Sequence, residues 1–102
     1  MQTYELDGTL VGIKRMHKRD VPEVLDLGIQ EGQFKSLGAT EAEKYASIDR
    51  YVDHGNSYVA MVKGSVIGFL LGYVADKARI DYLSANMKKV EELLVEAAVK
   101  QS

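Results

Sequence analysis

The sequence has no cysteine, no tryptophan and a single proline, and its longest apolar run is only Val66–Val74. Without cysteine there is no disulfide, no thiolate nucleophile and no cysteine-based metal site, and the redox compartment is left undetermined. The apolar run is far too short to cross a bilayer, and the N-terminus lacks a signal-peptide pattern, so a cytoplasmic protein is expected. Neither sign of charge dominates: 13 Lys and Arg stand against 15 Asp and Glu, for a net charge of −2. That balance gives no electrostatic case for nucleic acid or an anionic membrane surface. The two histidines, His17 and His54, lie far apart with no H-x-x-x-H spacing or acidic cluster beside them, so no metal site is expected. Ser-His-Asp and G-x-S-x-G arrangements are also missing.

What is present is the composition of one ordinary globular domain, 1–102, with 46% apolar and 27% charged residues. "TYELDGTLVGIKR" reads as two short strands about Asp7-Gly8, a dipeptide suited to a tight hairpin turn. "DVPEVLDLGIQEGQF" reads as a helix, with Asp20 as N-cap, Glu23 completing a capping box, Pro22 in the tolerant first turn, and Val21, Val24, Leu25 and Gly28 on one face. In "TEAEKYASIDRYVDHG", Thr40 and Glu43 form a second box, and Tyr45, Ile48 and Val52 make the stripe. Gly55 there suits a left-handed C-terminal position.

From Ser57 the period shortens. "SYVAMVKGSVIGFLLGYV" reads as two strands joined at Lys63-Gly64-Ser65, the second apolar almost throughout and so covered on both faces. Arg79–Ala85 is a third strand, and Met87, Val90, Leu94 and Ala97 stripe a last helix, Met87–Lys100. The order is (β)β-α-α-β-β-β-α, an α/β (α+β) arrangement. A central strand buried on both faces demands helices on both sides of a mixed sheet, a three-layer sandwich.

The junction between that third strand and last helix holds no glycine. Strand-to-helix turns are where phosphates are commonly held, by glycine-freed backbone N–H groups at the positive helix end. The order of segments resembles the first half of the GNAT superfamily of acyl-CoA-dependent N-acyltransferases. The likeness is carried by "IKRMHKRDVPEVLDL", by "YVAMVKGSVIGFLLGYV" with Gly68 and Gly72 around "FLL", by "ARIDYLSA", and by "VEELLVEAAVKQ", and it runs from Val11 to Gln101. Members place Gln/Arg-x-x-Gly-x-Gly/Ala at this junction to bind the coenzyme A pyrophosphate. Here Ala85-Asn86-Met87-Lys88 replaces it, as though roughly ten residues were missing relative to the family's usual spacing. The fold is expected to stop after the fourth core strand and its helix, without the later strands that admit pantetheine and often supply a tyrosine general acid.

The resemblance implies roles for particular residues. Asp81 lies where members often place a general base, the candidate here for taking a proton from the acceptor ammonium. Backbone near Leu83 would meet the thioester carbonyl, pantetheine would run along Ser84 and Ala85, and Asn86, Lys88 and Lys89 would border the coenzyme phosphates. Each role has a plainer counterpart. Asp81 can be an exposed edge-strand charge that discourages aggregation, and Arg79 beside it can pair with it and weaken it as a base. Lys88 and Lys89 oppose the helix dipole at a cost of about 0.3–1 kcal/mol each, and can simply be solvated beside Glu91 and Glu92. The cluster Lys14, Arg15, His17, Lys18 and Arg19 can hold an anion or form a charged loop. Tyr82 is expected on the face opposite Asp81, as packing.

The implied function is acetyl transfer from acetyl-CoA to an amine of unknown identity, with weak or absent coenzyme binding. The alternatives are a non-catalytic GNAT-like module acting through association, or an engineered fragment with its loop deleted. A strand lacking its next partner exposes unpaired backbone groups, so a homodimer through the 79–85 edge is also expected.

Overall fold

The computed structural model describes residues 1–74 and 77–100; Gln101, where the family likeness ends, lies outside them. Two-residue turns close two hairpins. Asp7 and Gly8 (φ 50° and 82°) join Gln2–Leu6 (β1) to Thr9–Arg15 (β2), and Lys63 and Gly64 (φ 50° and 80°) join Tyr58–Val62 (β3) to Ser65–Val74 (β4). Positive φ at both turn residues matches the right-handed twist of the flanking strands. Ser65, expected in the turn, already belongs to β4. A fifth strand, Ala78–Ala85 (β5), completes a sheet in the order β1-β2-β3-β4-β5. Every pairing among the described strands is antiparallel, so the sheet is not mixed.

Helices Val21–Gln30 (α1) and Glu41–His54 (α2) cover one face of the sheet, and Lys88–Lys100 (α3) covers the other. β4 supplies both cores, as its apolar run requires. Phe69 and Leu71 pack with Val24, Phe34 and Ile48 beneath α1 and α2, while Leu70 packs with Val90, Leu93 and Leu94 of α3. All three β4 side chains are fully buried. The three-layer sandwich follows directly.

Local capping and packing signals hold in some places and are overridden in others. The Thr40 box forms: Glu43 N–H donates to Thr40 Oγ1 (3.1 Å), and Thr40 N–H donates to Glu43 Oε1 (3.2 Å). The Asp20–Glu23 box does not. A short 3-10 helix, Lys18–Asp20, runs straight into α1, so Asp20 is already helical and makes no cap bond to it. Its Oδ2 instead accepts from His17 N–H (2.8 Å) and Lys14 Nζ (2.5 Å). Burial raises the pKa of this carboxyl, and the Lys14 ammonium with the His17 N–H outweighs burial, so the net shift is downward. Glu23 reaches across to β4, accepting from Val66 N–H (3.1 Å). The α2 stripe is rotated: Tyr45 is exposed, and Ser47, Ile48 and Tyr51 are the buried residues. On α3 the buried set is Val90, Leu93, Leu94 and Ala98, with Met87 exposed.

Gly55 is extended (φ −106°, ψ −171°), not left-handed. Its reason is close approach. A Cβ there would lie 2.2 Å from Tyr51 O and 2.5 Å from Gly72 O, both backbone atoms. Neighbouring Asn56 and Ser57 clamp the same point: Asn56 N–H donates to Gly72 O (2.7 Å), and Ser57 Oγ donates to Tyr51 O (3.1 Å). Gly55→Ala should therefore lower the unfolding free energy by about 1–3 kcal/mol, the usual cost of forcing extra volume into a packed site. Urea melts would read this as a reduced midpoint with unchanged slope, and an unaltered midpoint would refute the close-approach account.

Candidate functional site

β5 is an edge strand, and its ladder with β4 slips by one residue. Leu71 pairs with Tyr82 and Gly72 with Ile80, which leaves Asp81 as the extra residue of a bulge. Gly72 permits the local approach, since a Cβ there would stand 2.3 Å from Arg79 O. Bulges re-aim side chains, and this one turns Asp81 and Tyr82 to the same face, that of α1 and α2. Tyr82 is thus not opposite Asp81, because the expected strict alternation is broken between them.

On that face Asp81 is the centre of a small network. Its Oδ2 accepts from Tyr51 Oη (2.7 Å), and Arg79 donates through Nε to Oδ1 and through a terminal nitrogen to Oδ2, both at 3.0 Å. The Arg79 guanidinium lies 4.8 Å over the Tyr73 ring. Tyr51 stacks at 4.8 Å on Tyr73, and Tyr82 meets Phe34 edge-on at 5.3 Å. The hydroxyls of Ser36 and Tyr82 are hydrogen-bonded, and Gln33 Nε2 donates to Leu83 O (3.3 Å). The loop after α1 is thereby tied to β5.

The carboxyl and phenol respond oppositely. Burial raises the Asp81 pKa, and the Arg79 guanidinium and Tyr51 hydroxyl more than cancel it, so the carboxyl sits below its ordinary value. Burial, followed by the hydrogen bond to Asp81 and then its charge, pushes the Tyr51 hydroxyl well above its ordinary value. At neutral pH the pair is carboxylate and phenol, with the phenol as donor.

On the opposite face, β5 and α3 border a groove of about 500 Å³, lined by Leu83, Lys88, Glu91, Glu92 and Val95 among others. Its walls are largely aliphatic and its rim is charged. Ser84 is buried and Ala85 half-buried at the end of β5, Asn86 and Met87 form the exposed bend, and Lys88 opens α3. Lys89 turns to Glu92 (3.8 Å) on the helix surface. The residues expected at the coenzyme therefore follow one another from β5 into α3, and Leu83 and Lys88 share the groove. Asp81 projects to the other face of the strand, with Tyr51 and Arg79. Gln33, Ser36, Tyr51 and Tyr73 carry no signal in the sequence that would place them at this site.

Among the described residues, no helix is long and apolar enough to cross a membrane, and no group of three or more His, Cys, Asp or Glu is placed to hold a metal ion. No protein-family model matches the sequence, and no curated protein does either. Among solved structures, the chain matches the diaminobutyrate acetyltransferase EctA of Paenibacillus lautus, solved with its substrate L-2,4-diaminobutyric acid and coenzyme A. The TM-score is 0.60 at 17% identity, over 89% of this chain and 57% of that one. The fold is GNAT-like. At this identity the likeness concerns the fold, and the chain spans little more than half the length of that acetyltransferase.

The Asp81 network makes a pH prediction. A carboxyl whose pKa is depressed by folding contributes stability that is present above the unfolded value, about 3.9, and is lost as pH falls through the folded one. Asp81→Asn should lower the melting temperature at pH 7, and the gap to the parent should narrow below about pH 4. Asp20 titrates in the same direction in both proteins, so the difference between them isolates Asp81. A gap of equal size at pH 7 and pH 3 would refute the depressed carboxyl.

Proposed function

We propose that this domain forms the coenzyme-facing part of a GNAT-like N-acyltransferase, moving an acyl group, foremost acetyl, from a coenzyme A thioester to an amine. The observation that carries this reading is the aliphatic groove between Leu83 and α3, on a fold shared with a coenzyme A-bound acetyltransferase. The groove fits a pantetheine arm: apolar walls for its chain, a β5 backbone alongside for its amides, and Lys88 at the rim towards the phosphates.

In the proposed reaction the acceptor nitrogen forms a C–N bond at the thioester carbonyl, the C–S bond breaks, and the coenzyme thiolate leaves and is protonated. Backbone N–H near Leu83 would donate to the carbonyl oxygen as it gains charge. Asp81 is proposed as the group that receives the ammonium proton. Its pairing with Arg79 makes it a weaker base than an isolated buried carboxylate, so it serves best by relaying the proton through water.

The junction fits the phosphates less well. With no glycine between Ser84 and Lys100, few backbone N–H groups can converge on a pyrophosphate. Charge-assisted bonds contribute about 1.5–3 kcal/mol each, so losing two weakens binding by a hundredfold or more. This favours a second reading, a GNAT-like module that associates without catalysing. The open edge of β5 would serve it, as a homodimer pairing two such edges. Arg79 is already held by its own Asp81, so backbone pairing and apolar contact from Ile80 and Leu83 would have to hold that dimer. Sedimentation showing only monomer at high micromolar concentration would refute it.

Calorimetric titration with acetyl-CoA tests the first reading. Binding weaker than about 1 μM is expected, with Lys88→Ala reducing affinity more at low salt than at high salt. No binding at millimolar acetyl-CoA would overturn it, and sub-micromolar binding would overturn the account of the junction.

A further inference from the structure

A second cavity, of about 400 Å³, lies at the C-terminal end of α3, where the end of β2 meets the start of β3, and Lys100 borders both it and the groove beside Leu83. Arg15 and His17 line it from β2 and the segment after it, Tyr58 from β3, and Ala97 and Lys100 from α3. No acidic side chain lines it, although the chain as a whole carries a net charge of −2. The cationic segment of the sequence has been divided among several tasks to produce this. Lys14 is neutralised by Asp20, and Lys18 is drawn to α2 by Asp53 (3.2 Å) and Asp49 (3.7 Å). Arg15 has no carboxylate partner among the described residues. It makes one long bond to Gly55 O (3.5 Å) and lies 5.4 Å over the Tyr58 ring.

Tyr58 provides an independent observation. It is 6% exposed, and its hydroxyl is buried with no hydrogen-bond partner among the described residues. A buried polar atom without a partner is costly, and natural structures rarely leave one unless water or a ligand completes it. Burial raises the pKa of this phenol, against the opposing effect of Arg15, so it remains a donor at neutral pH. Arg15 is exposed, its guanidinium lies over the same ring, and both residues line the cavity.

We propose that this cavity binds a small oxyanion-bearing molecule, a phosphate monoester or a carboxylate, between the Arg15 guanidinium, Lys100 and the Tyr58 hydroxyl. A guanidinium fork suits either oxyanion in a bidentate manner. Lys100 can join because its Glu96 partner (3.0 Å) is a solvent-exposed i,i+4 contact, a weak one to give up. The negative end of α3 opposes an anion, but only by a few-fold in affinity, less than one charge-assisted bond supplies. The aliphatic lining from Ile13 and Ala97 would receive the body of the molecule.

The test is an amide-shift titration of the full chain with inorganic phosphate and, separately, with succinate, against sodium chloride at equal ionic strength. Saturable shifts at Arg15, Tyr58 and Lys100 with either probe, absent with chloride, support the site, and the probe that saturates first names the preferred oxyanion. Tyr58→Phe, which removes only the unpartnered hydroxyl, should weaken binding roughly tenfold, and Arg15→Ala at least as much. Lys88→Ala, at the other end of α3, should leave it unchanged. Shifts that fail to saturate, shifts reproduced by chloride, or a Tyr58→Phe variant that binds like the parent would each overturn the proposal.

Discussion

The double burial of β4 is the constraint on which the rest of this structure depends. Phe69 and Leu71 point into the core beneath α1 and α2, and Leu70 points into the core beneath α3. Burying one such side chain contributes about 1.5–3 kcal/mol, so neither face can be left open. Two helices on one side and one on the other are the means by which a chain of 102 residues covers both. β3 and β5 are held against β4 as a consequence, and the order of hairpins leaves β5 at the edge. The groove beside Leu83 exists because α3 must turn back over Leu70 directly after β5, which brings the helix flank beside that residue.

The bulge in β5 decides what each side of that strand can do. A regular strand would have sent Asp81 and Tyr82 to opposite faces. The slip between Leu71 and Gly72 sends both towards α1 and α2, where Tyr51 and Arg79 bond to Asp81 and Phe34 packs on Tyr82. The polar chemistry of β5 is therefore gathered on one face and its aliphatic groove on the other. Gln33 bridges the two by donating to the Leu83 carbonyl. Under the proposed reaction, an acceptor amine on the Asp81 side and a thioester on the Leu83 side would meet at the backbone between them.

Much of this was legible in the sequence because apolar period and turn chemistry act locally. Asp7-Gly8 and Lys63-Gly64 fixed two hairpins, the Thr40–Glu43 box fixed the start of α2, and the run through Phe69-Leu70-Leu71 required three layers. The errors arose where tertiary contact overrode local preference. Asp20 has the identity of an N-cap, but Lys14 from β2 competes for its carboxylate. Gly55 follows a helix as a left-handed cap would, yet the nearby Gly72 backbone is what excludes a side chain there. The bulge at Asp81 had no local signal beyond Gly72, whose partner strand is not identifiable from sequence. The Arg79–Asp81 pair, two residues apart, was legible as a local contact, but Tyr51, which completes the network, lies 30 residues away along the chain and carried no signal.

The two ends of α3 pose opposite electrostatic problems. At its start, Lys88 and Lys89 stand where the dipole favours anions, so the cations weaken the bare helix but would be relieved by a phosphate close by. At its end, Lys100 complements the dipole, and Asn56 Nδ2 donates to Ala98 O (2.9 Å), which satisfies one terminal carbonyl. An anion is thus favoured at the start by backbone and opposed at the end by it. At the start, however, the glycine-free bend limits how many N–H groups can converge, whereas at the end Arg15 and Tyr58 project from the sheet and owe nothing to the helix. The site that the dipole disfavours is the one with donors already positioned by strands. Rigid strands position side chains more closely than a two-residue bend positions its backbone, so of the two proposed anion sites it is the end of α3, not its start, that the fold organises independently of the bend.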